Sequence, residues 1–200
     1  MKEDERMSLG YPSFWKNASI RRKRLYLFLL LLVLAIVVTI AGTFVPLSTS
    51  ESQQIYDRIN QTTTQGSIQL ATSIFFNNFP LCLAMFIPMF GAVFGLFIML
   101  NTGIALGAEL RVESSSNFQA TTQPISASTA VLALALIAVV FSIEYVSYSI
   151  GMSESLWLFR RLMQRKWPRE LRNAGILIGI CAILLTVGAI VETLTIKAGL

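Results

Sequence analysis

Glu144 is the residue with the most chemistry to offer, because its carboxyl stands well inside the apolar run 125–148. An ionisable group within a membrane span costs about 2.5 kcal/mol or more on insertion scales, and it normally faces a partner or a water-filled cavity. By the i, i+3, i+4, i+7 rule, Glu144, Ser147, Tyr148, Gly151 and Ser155 fall on one helix face, which gives the carboxyl a seam of hydroxyl neighbours. Two uses fit that seam. One is a proton or ion site, or a contact between subunits; the other is a protonated Glu144 bonded to a neighbouring helix for packing alone.

Other polar side chains stand out against apolar surroundings. Asn101 precedes Thr102-Gly103 and Leu106-Gly107, small residues that let helices approach, so it is expected to act as interhelical glue. Asn77 and Asn78 come just before Pro80, where they are expected to cap the following helix or bind headgroups. Glu192, near Lys197 at the end of the last apolar run, reads as a snorkelling or paired carboxylate. Glu144 and Glu192 form an acid and base pair only if the fold brings them together.

Templates for catalysis fail one by one. Gly151-Met152-Ser153-Glu154-Ser155 starts like a nucleophile elbow, but it ends in Ser where Gly is needed, and the chain has no histidine to activate the hydroxyl. Neither a phosphate-cradling Gly-rich loop with Lys nor a cluster of metal ligands is present, so no enzyme, cofactor or metal is expected. The two cysteines, Cys82 and Cys181, sit in apolar runs and are expected to be small hydrophobes and not a disulfide.

The elements that must hold these residues are membrane helices. The 200 residues are 54% hydrophobic and 14% charged, with mean hydropathy +0.63, too little polar surface for a water-soluble domain of this size. The expected fold is all-α: a polytopic helical membrane protein of four to five passes with interfacial amphipathic helices. Residues 1–24 form a cytoplasmic basic segment with an aromatic interfacial elbow, and 25–200 form one transmembrane domain. Passes are expected at about 25–45, 74–108, 125–148 and 174–196. The first reads as an uncleaved signal anchor, since its apolar run is too long for a signal-peptide core. A single helix over 74–110 would reach roughly 55 Å against a core of about 30 Å, so it must be broken or re-entrant, with Pro80, Pro88 and the Gly-x-x-x-Gly spacings as the means. The stretch 157–167 has apolar residues at helical spacing opposite Arg160, Arg161 and Arg165, which predicts a separate amphipathic helix on a membrane face.

Charge placement gives the topology. The 16 Lys and Arg exceed the 11 Asp and Glu, and the excess clusters beside apolar segments, which favours anionic headgroups over nucleic acid. Arg160, Arg161, Arg165 and Lys166 are the expected lipid or partner surface. Arg21 to Arg24 and the basic residues of 160–172 should both be cytoplasmic, so an even number of passes must separate them, which favours an extra pass or excursion within 74–110. The polar stretch 47–73 then lies outside as a loop, where Asn60-Gln61-Thr62 is a glycosylation sequon.

From Asn77 to Thr195, about 60% of the chain, the order of features resembles the stage II sporulation protein M family: Asn77-Asn78 entering a Gly-rich span, Asn101-Thr102-Gly103 with Leu106-Gly107, an intramembrane Glu144, and Ile190-Val191-Glu192 closing the last span. Two positions depart from the family pattern. Thr102 splits the Asn-Gly pair, and Val140-Phe141 stands where a His-Gly is usual. The resemblance implies a multi-pass protein of the cell membrane, N-terminus cytoplasmic, that acts as a scaffold or anchor for envelope or other membrane proteins, as members in spore formers act with peptidoglycan-remodelling partners. The alternative is a permease-like subunit of an exporter, served by an ATPase, or a proton-coupled carrier using Glu144. Homo-oligomers are compatible with both.

Overall fold

The computed structural model describes residues 18–63, 66–115, 127–165 and 168–198, all of it helical or connecting, with no strand among the described residues. Among the described residues six helices follow in order: α1 (Ile20–Thr43), α2 (Thr49–Thr63), α3 (Ser67–Ala84), α4 (Phe90–Ser115), α5 (Ala127–Met163) and α6 (Pro168–Lys197). Stretches in α1, α4, α5 and α6 (Ile20–Thr43, Phe90–Val112, Leu134–Met163 and Glu170–Lys197) are long and apolar enough to cross a membrane. The expected all-helical membrane architecture is therefore present.

Local chemistry sets the helix ends. Ser19 caps α1 by accepting from the Arg22 N–H at 3.4 Å, and Pro46 prevents the helix from continuing. The polar connection is not simply a loop, because Ser48 and Glu51 form a capping box that starts α2: the Ser48 N–H donates to Glu51 Oε2 at 2.8 Å, and the Glu51 N–H donates to Ser48 Oγ at 3.3 Å. The Ser48 hydroxyl, which also donates to Oε2 at 2.6 Å, and the Ser48 N–H hold the Glu51 carboxyl below its ordinary range. Asn60 falls within α2. Pro168 opens α6 at the one helical position where its missing N–H costs nothing.

The predicted break in 74–110 lies at 85–89, after Pro80 and around Pro88. Pro80 is carried inside α3, and the chain turns at Met89, whose φ is +67°, with the Gly91 N–H bonded to the Ile87 carbonyl at 2.8 Å. Asn77 and Asn78 therefore stand in mid-helix and cap nothing, because α4 begins ten residues later than a cap at Pro80 requires. Nor is 157–167 a separate helix. Between Tyr148 and Trp157 there is no proline, and Gly151 alone does not break α5, which runs unbroken for 37 residues to Met163. Lys166 lies outside the described residues.

Cross-links between helices fix their directions. Arg111 near the end of α4 donates to the Thr43 and Val45 carbonyls at 3.2 and 2.9 Å, so α1 and α4 finish at the same end. Arg24 at the start of α1 pairs with Glu154 late in α5 and Glu170 early in α6. Asn78 meets Glu144, and the Ile87 carbonyl meets Ser155, so α3 runs parallel to α5 and the 85–89 turn lies at the Arg24 end. Thus α1, α4 and α6 run one way, α3 and α5 the other, and the two basic segments arrive at one end as charge placement requires. At 18 residues α3 is about 27 Å long.

The buried core is shared by five helices: Leu31 and Ala35 from α1, Cys82 from α3, Met99 from α4, Tyr145, Tyr148 and Met152 from α5, and Cys181 and Leu185 from α6. Large apolar side chains cover the outside as well, among them Leu30, Val33, Phe76, Val93, Ile183 and Leu194. A helix bundle apolar inside and out suits a lipid solvent. Lipid removes most of the hydrophobic drive between helices, so close approach must hold them. The tightest approach is α1 on α4, where Gly103 lies against the Thr39 carbonyl and Gly42 against the Leu100 carbonyl.

Candidate functional site

Glu144 lies ten residues, about 15 Å, along α5 from Glu154 at the charged end. That is half the depth of a bilayer core of about 30 Å. Its Oε1 accepts a 2.6 Å hydrogen bond from Asn78 Nδ2 across the α3–α5 interface, and Asn78 Oδ1 in turn accepts from Asn77 Nδ2 at 3.1 Å. A bond from α3 to α5 over 66 residues of sequence is a dedicated partner for an intramembrane carboxyl. Glu192 of α6 is close enough to act on Glu144 electrostatically, and both carboxyls act on the buried Tyr148. Asn77, Asn78 and Glu144 are thus linked by hydrogen bonds across α3 and α5, with Glu192 of α6 within electrostatic range. Chemically this is a carboxyl with an amide donor at mid-membrane depth and a second carboxyl in electrostatic range, able to hold a proton.

The rest of the predicted seam is closed by packing. Ser147 and Ser155 are fully buried; the Ser147 carbonyl accepts from both Cys82 Sγ at 3.7 Å and Cys181 Sγ at 3.5 Å, and Ser155 Oγ donates to the Ile87 carbonyl at 2.7 Å. Both cysteines are free thiols. Gly151 fits under Met85 and Phe86. Glu144 alone of the seam keeps chemistry in reserve, while the residues below it fasten α3 to α5.

Asn101 does not join the site and is not interhelical glue. It is exposed and donates to the Phe97 carbonyl of its own helix at 2.7 Å, leaving Gly103 and Gly107 to make the α1 contact. A groove of about 450 Å³ between α1 and α5 is apolar, with Leu32, Ile36, Ile40 and Phe141 among its walls, and Glu144 does not line it. A hydrogen bond from Tyr145 Oη to Thr39 Oγ1, 2.7 Å, joins two of its lining side chains. Among the described residues no group of three or more His, Cys, Asp or Glu side chains is placed to hold a metal.

A second charged site went unread in the sequence. At the basic end Arg24 is hydrogen-bonded to Glu170 and lies 3.7 Å from Glu154, and Arg161 Nε lies 3.1 Å from Glu170 Oε1. Trp157 is surrounded by the guanidinium groups of Arg24, Arg161 and Arg160 at 4.9, 5.1 and 5.9 Å from its ring centre. Glu154, Trp157 and Arg161 at i, i+3 and i+7 share one face of α5, a spacing that could have marked the site. Their partners Arg24 and Glu170 lie on other helices, beyond the reach of local periodicity. Arg161, expected on a lipid surface, is thus drawn into an internal cluster, whereas Arg160 stays exposed at its edge and Arg165 is exposed just past α5 with φ +55°.

Fold and site together define a multi-pass α-helical membrane protein with an amide-bonded carboxyl inside the bundle. No family model, no curated protein and no solved structure matches the chain.

Proposed function

We propose that the chain is a multi-pass protein of the cell membrane, with its basic end and N-terminus cytoplasmic, and that the Glu144 site binds and releases a proton in a permease-like or proton-coupled transport subunit. One observation carries this reading: an intramembrane carboxyl held by a cross-helix amide, with a second carboxyl in electrostatic range. A carboxyl serving packing alone needs only the amide, and the second carboxyl in electrostatic range supports a role in binding a proton. The meeting of the basic segments at one end supports the cytoplasmic assignment. The test is a pH jump on the protein adsorbed to a solid-supported membrane. Wild type should give a transient charge displacement that Glu144→Gln removes while remaining monodisperse. A Glu144→Gln variant with the wild-type transient, or one that cannot assemble, removes the basis of this reading.

A second reading is favoured by a specific coincidence. Three of the elements that carry the resemblance to the stage II sporulation protein M family, Asn77-Asn78, Glu144 and Glu192, stand far apart in sequence and lie within hydrogen-bonding or electrostatic range, while Asn101 stands apart. In that reading the chain is a non-enzymatic scaffold for envelope or membrane partners. Affinity purification in mild detergent separates the two: an ATP-binding subunit among the bound proteins supports transport, and envelope-remodelling proteins without an ATPase support the scaffold.

A further inference from the structure

Asn101 is an amide that the bundle leaves on its outer face. Val93 and Phe97, two turns and one turn back along α4, are 70% and 58% exposed, so this strip of the helix faces lipid and not a polar channel. Asn101 stands eleven residues from either end of the apolar stretch Phe90–Val112, about 16 Å, the middle of a core of about 30 Å. At that depth no water reaches the amide, and a side chain of this length cannot extend to the headgroups. The hydroxyls of Ser142 and Thr186 are also exposed within the spans, but each has a single hydrogen and gives it to the carbonyl four residues back. Asn101 has two N–H groups and a carbonyl, and its bond to the Phe97 carbonyl at 2.7 Å uses one N–H. Among the described residues no second partner meets this amide. One donor and one acceptor therefore face hydrocarbon, where each unmade bond is costly.

We propose that α4 carries a self-association face centred on Asn101, and that its occupant is a second copy of this chain. The half-used amide is its own complement: across a two-fold axis along the membrane normal, the spare N–H of each Asn101 donates to the Oδ1 of the other, and one contact satisfies both. Such an axis sets the two residues at one depth by symmetry, and amide side chains join membrane helices in this way. Ala105, one turn further on, adds little bulk to hold the two helices apart. Gly103 and Gly107, which pack on α1, lie on the opposite side of α4, so association leaves the bundle as it is. Within one chain Asn101 joins no other helix; between copies it does. The face is separate from Glu144 and stands whether or not that carboxyl moves protons.

The test uses the full chain carrying a donor or an acceptor fluorescent protein at its N-terminus, the two forms mixed and reconstituted into phosphatidylcholine vesicles at falling protein-to-lipid ratios. Wild type should transfer energy between copies. Asn101→Leu, which nearly keeps the volume and removes the amide, should need about tenfold more protein per lipid to reach half of that transfer. Since Asn101 bonds only to its own helix, the variant should keep the wild-type helicity. Cysteine locates the contact. Phe97→Cys, one turn from Asn101, should cross-link copy to copy on oxidation and lose that cross-link when Asn101→Leu is added, whereas Ile183→Cys on the exposed face of α6 should not cross-link. A wild type that is monomeric at every ratio, an Asn101→Leu variant that associates as wild type does, or a cross-link through Ile183→Cys and not Phe97→Cys overturns the proposal.

Discussion

Substituting Gly103 by alanine tests the α1–α4 junction most sharply. A Cβ at Gly103 would stand 2.0 Å from the Thr39 carbonyl oxygen and 2.9 Å from the Gly42 Cα, both backbone atoms of a helix. Ordinary van der Waals contact begins at 3.4 Å, so the two helices must part locally by at least 1.4 Å or bend. No flexible side chain can give way instead. Overpacking of this kind costs about 1–3 kcal/mol, and the backbone identity of the neighbour places Gly103→Ala at the upper end. Separation also strains the bond from Tyr145 Oη to Thr39 Oγ1 and those from Arg111 to the Thr43 and Val45 carbonyls. Gly179 on α6 has nothing within 4 Å of its would-be Cβ, so Gly179→Ala should be neutral or stabilise by up to about 1 kcal/mol through helix propensity. Reversible unfolding in mixed micelles, followed by circular dichroism against the fraction of sodium dodecyl sulfate, gives both values. Equal stability of Gly103→Ala and Gly179→Ala would refute the packing of α1 on α4 described above.

Further outcomes follow from other junctions. Cys82 and Cys181 donate to the same Ser147 carbonyl, so oxidation with copper-phenanthroline should couple them and join α3 to α6, read as a cross-link between the two fragments after cleavage in the connection 116–126; thiols that remain free under oxidation would contradict their proximity. Arg24→Ala should destabilise toward the lower end of about 3–5 kcal/mol, since it leaves Glu154 and Glu170 without their shared cation while Arg24 itself is a quarter exposed, and the same unfolding titration measures it. The Glu51 carboxyl is held below its usual value of 4.5 by Ser48, so its contribution to α2 is complete above that pH and is lost as pH falls through the lowered value. Hydrogen exchange at the α2 N-terminus, compared between wild type and Glu51→Gln, should differ at neutral pH and converge on acidification.

What the sequence makes legible here is what depends on period and run length. The apolar run after Arg24, the excess length of 74–110 and the pairing of the two basic segments all follow from counting residues against a bilayer, and each is found in the helices and their directions. The helix face of Glu144, Ser147, Tyr148, Gly151 and Ser155 was likewise readable, but what covers it was not. Ser147 and Ser155 are consumed by α3 and α6, and the partner of Glu144 is Asn78, a residue that a rule about proline placed at a helix start. Pro80 was tolerated within α3 because it removes one donor, whereas the turn at Met89 reverses the chain. The amphipathic pattern at 157–167 was real, but its apolar and charged faces serve two kinds of burial: Trp157 and Leu158 pack inward, and Arg161 closes on Glu170. Ion pairs joining residues as distant as Arg24 and Glu170 leave no local trace, so the charged cluster at the basic end escaped any reading by spacing alone.

In the proposed function Glu144 takes up and releases a proton inside the membrane while held by Asn78. Infrared difference spectroscopy of the reconstituted protein between two pH values observes that carboxyl directly through its protonated C=O stretch. A band that changes with pH in wild type, disappears in Glu144→Gln and shifts in frequency in Asn78→Ala, where the amide donor is gone, is the predicted result. A spectrum unchanged by Glu144→Gln would contradict it and leave the carboxyl a fastening between α3 and α5.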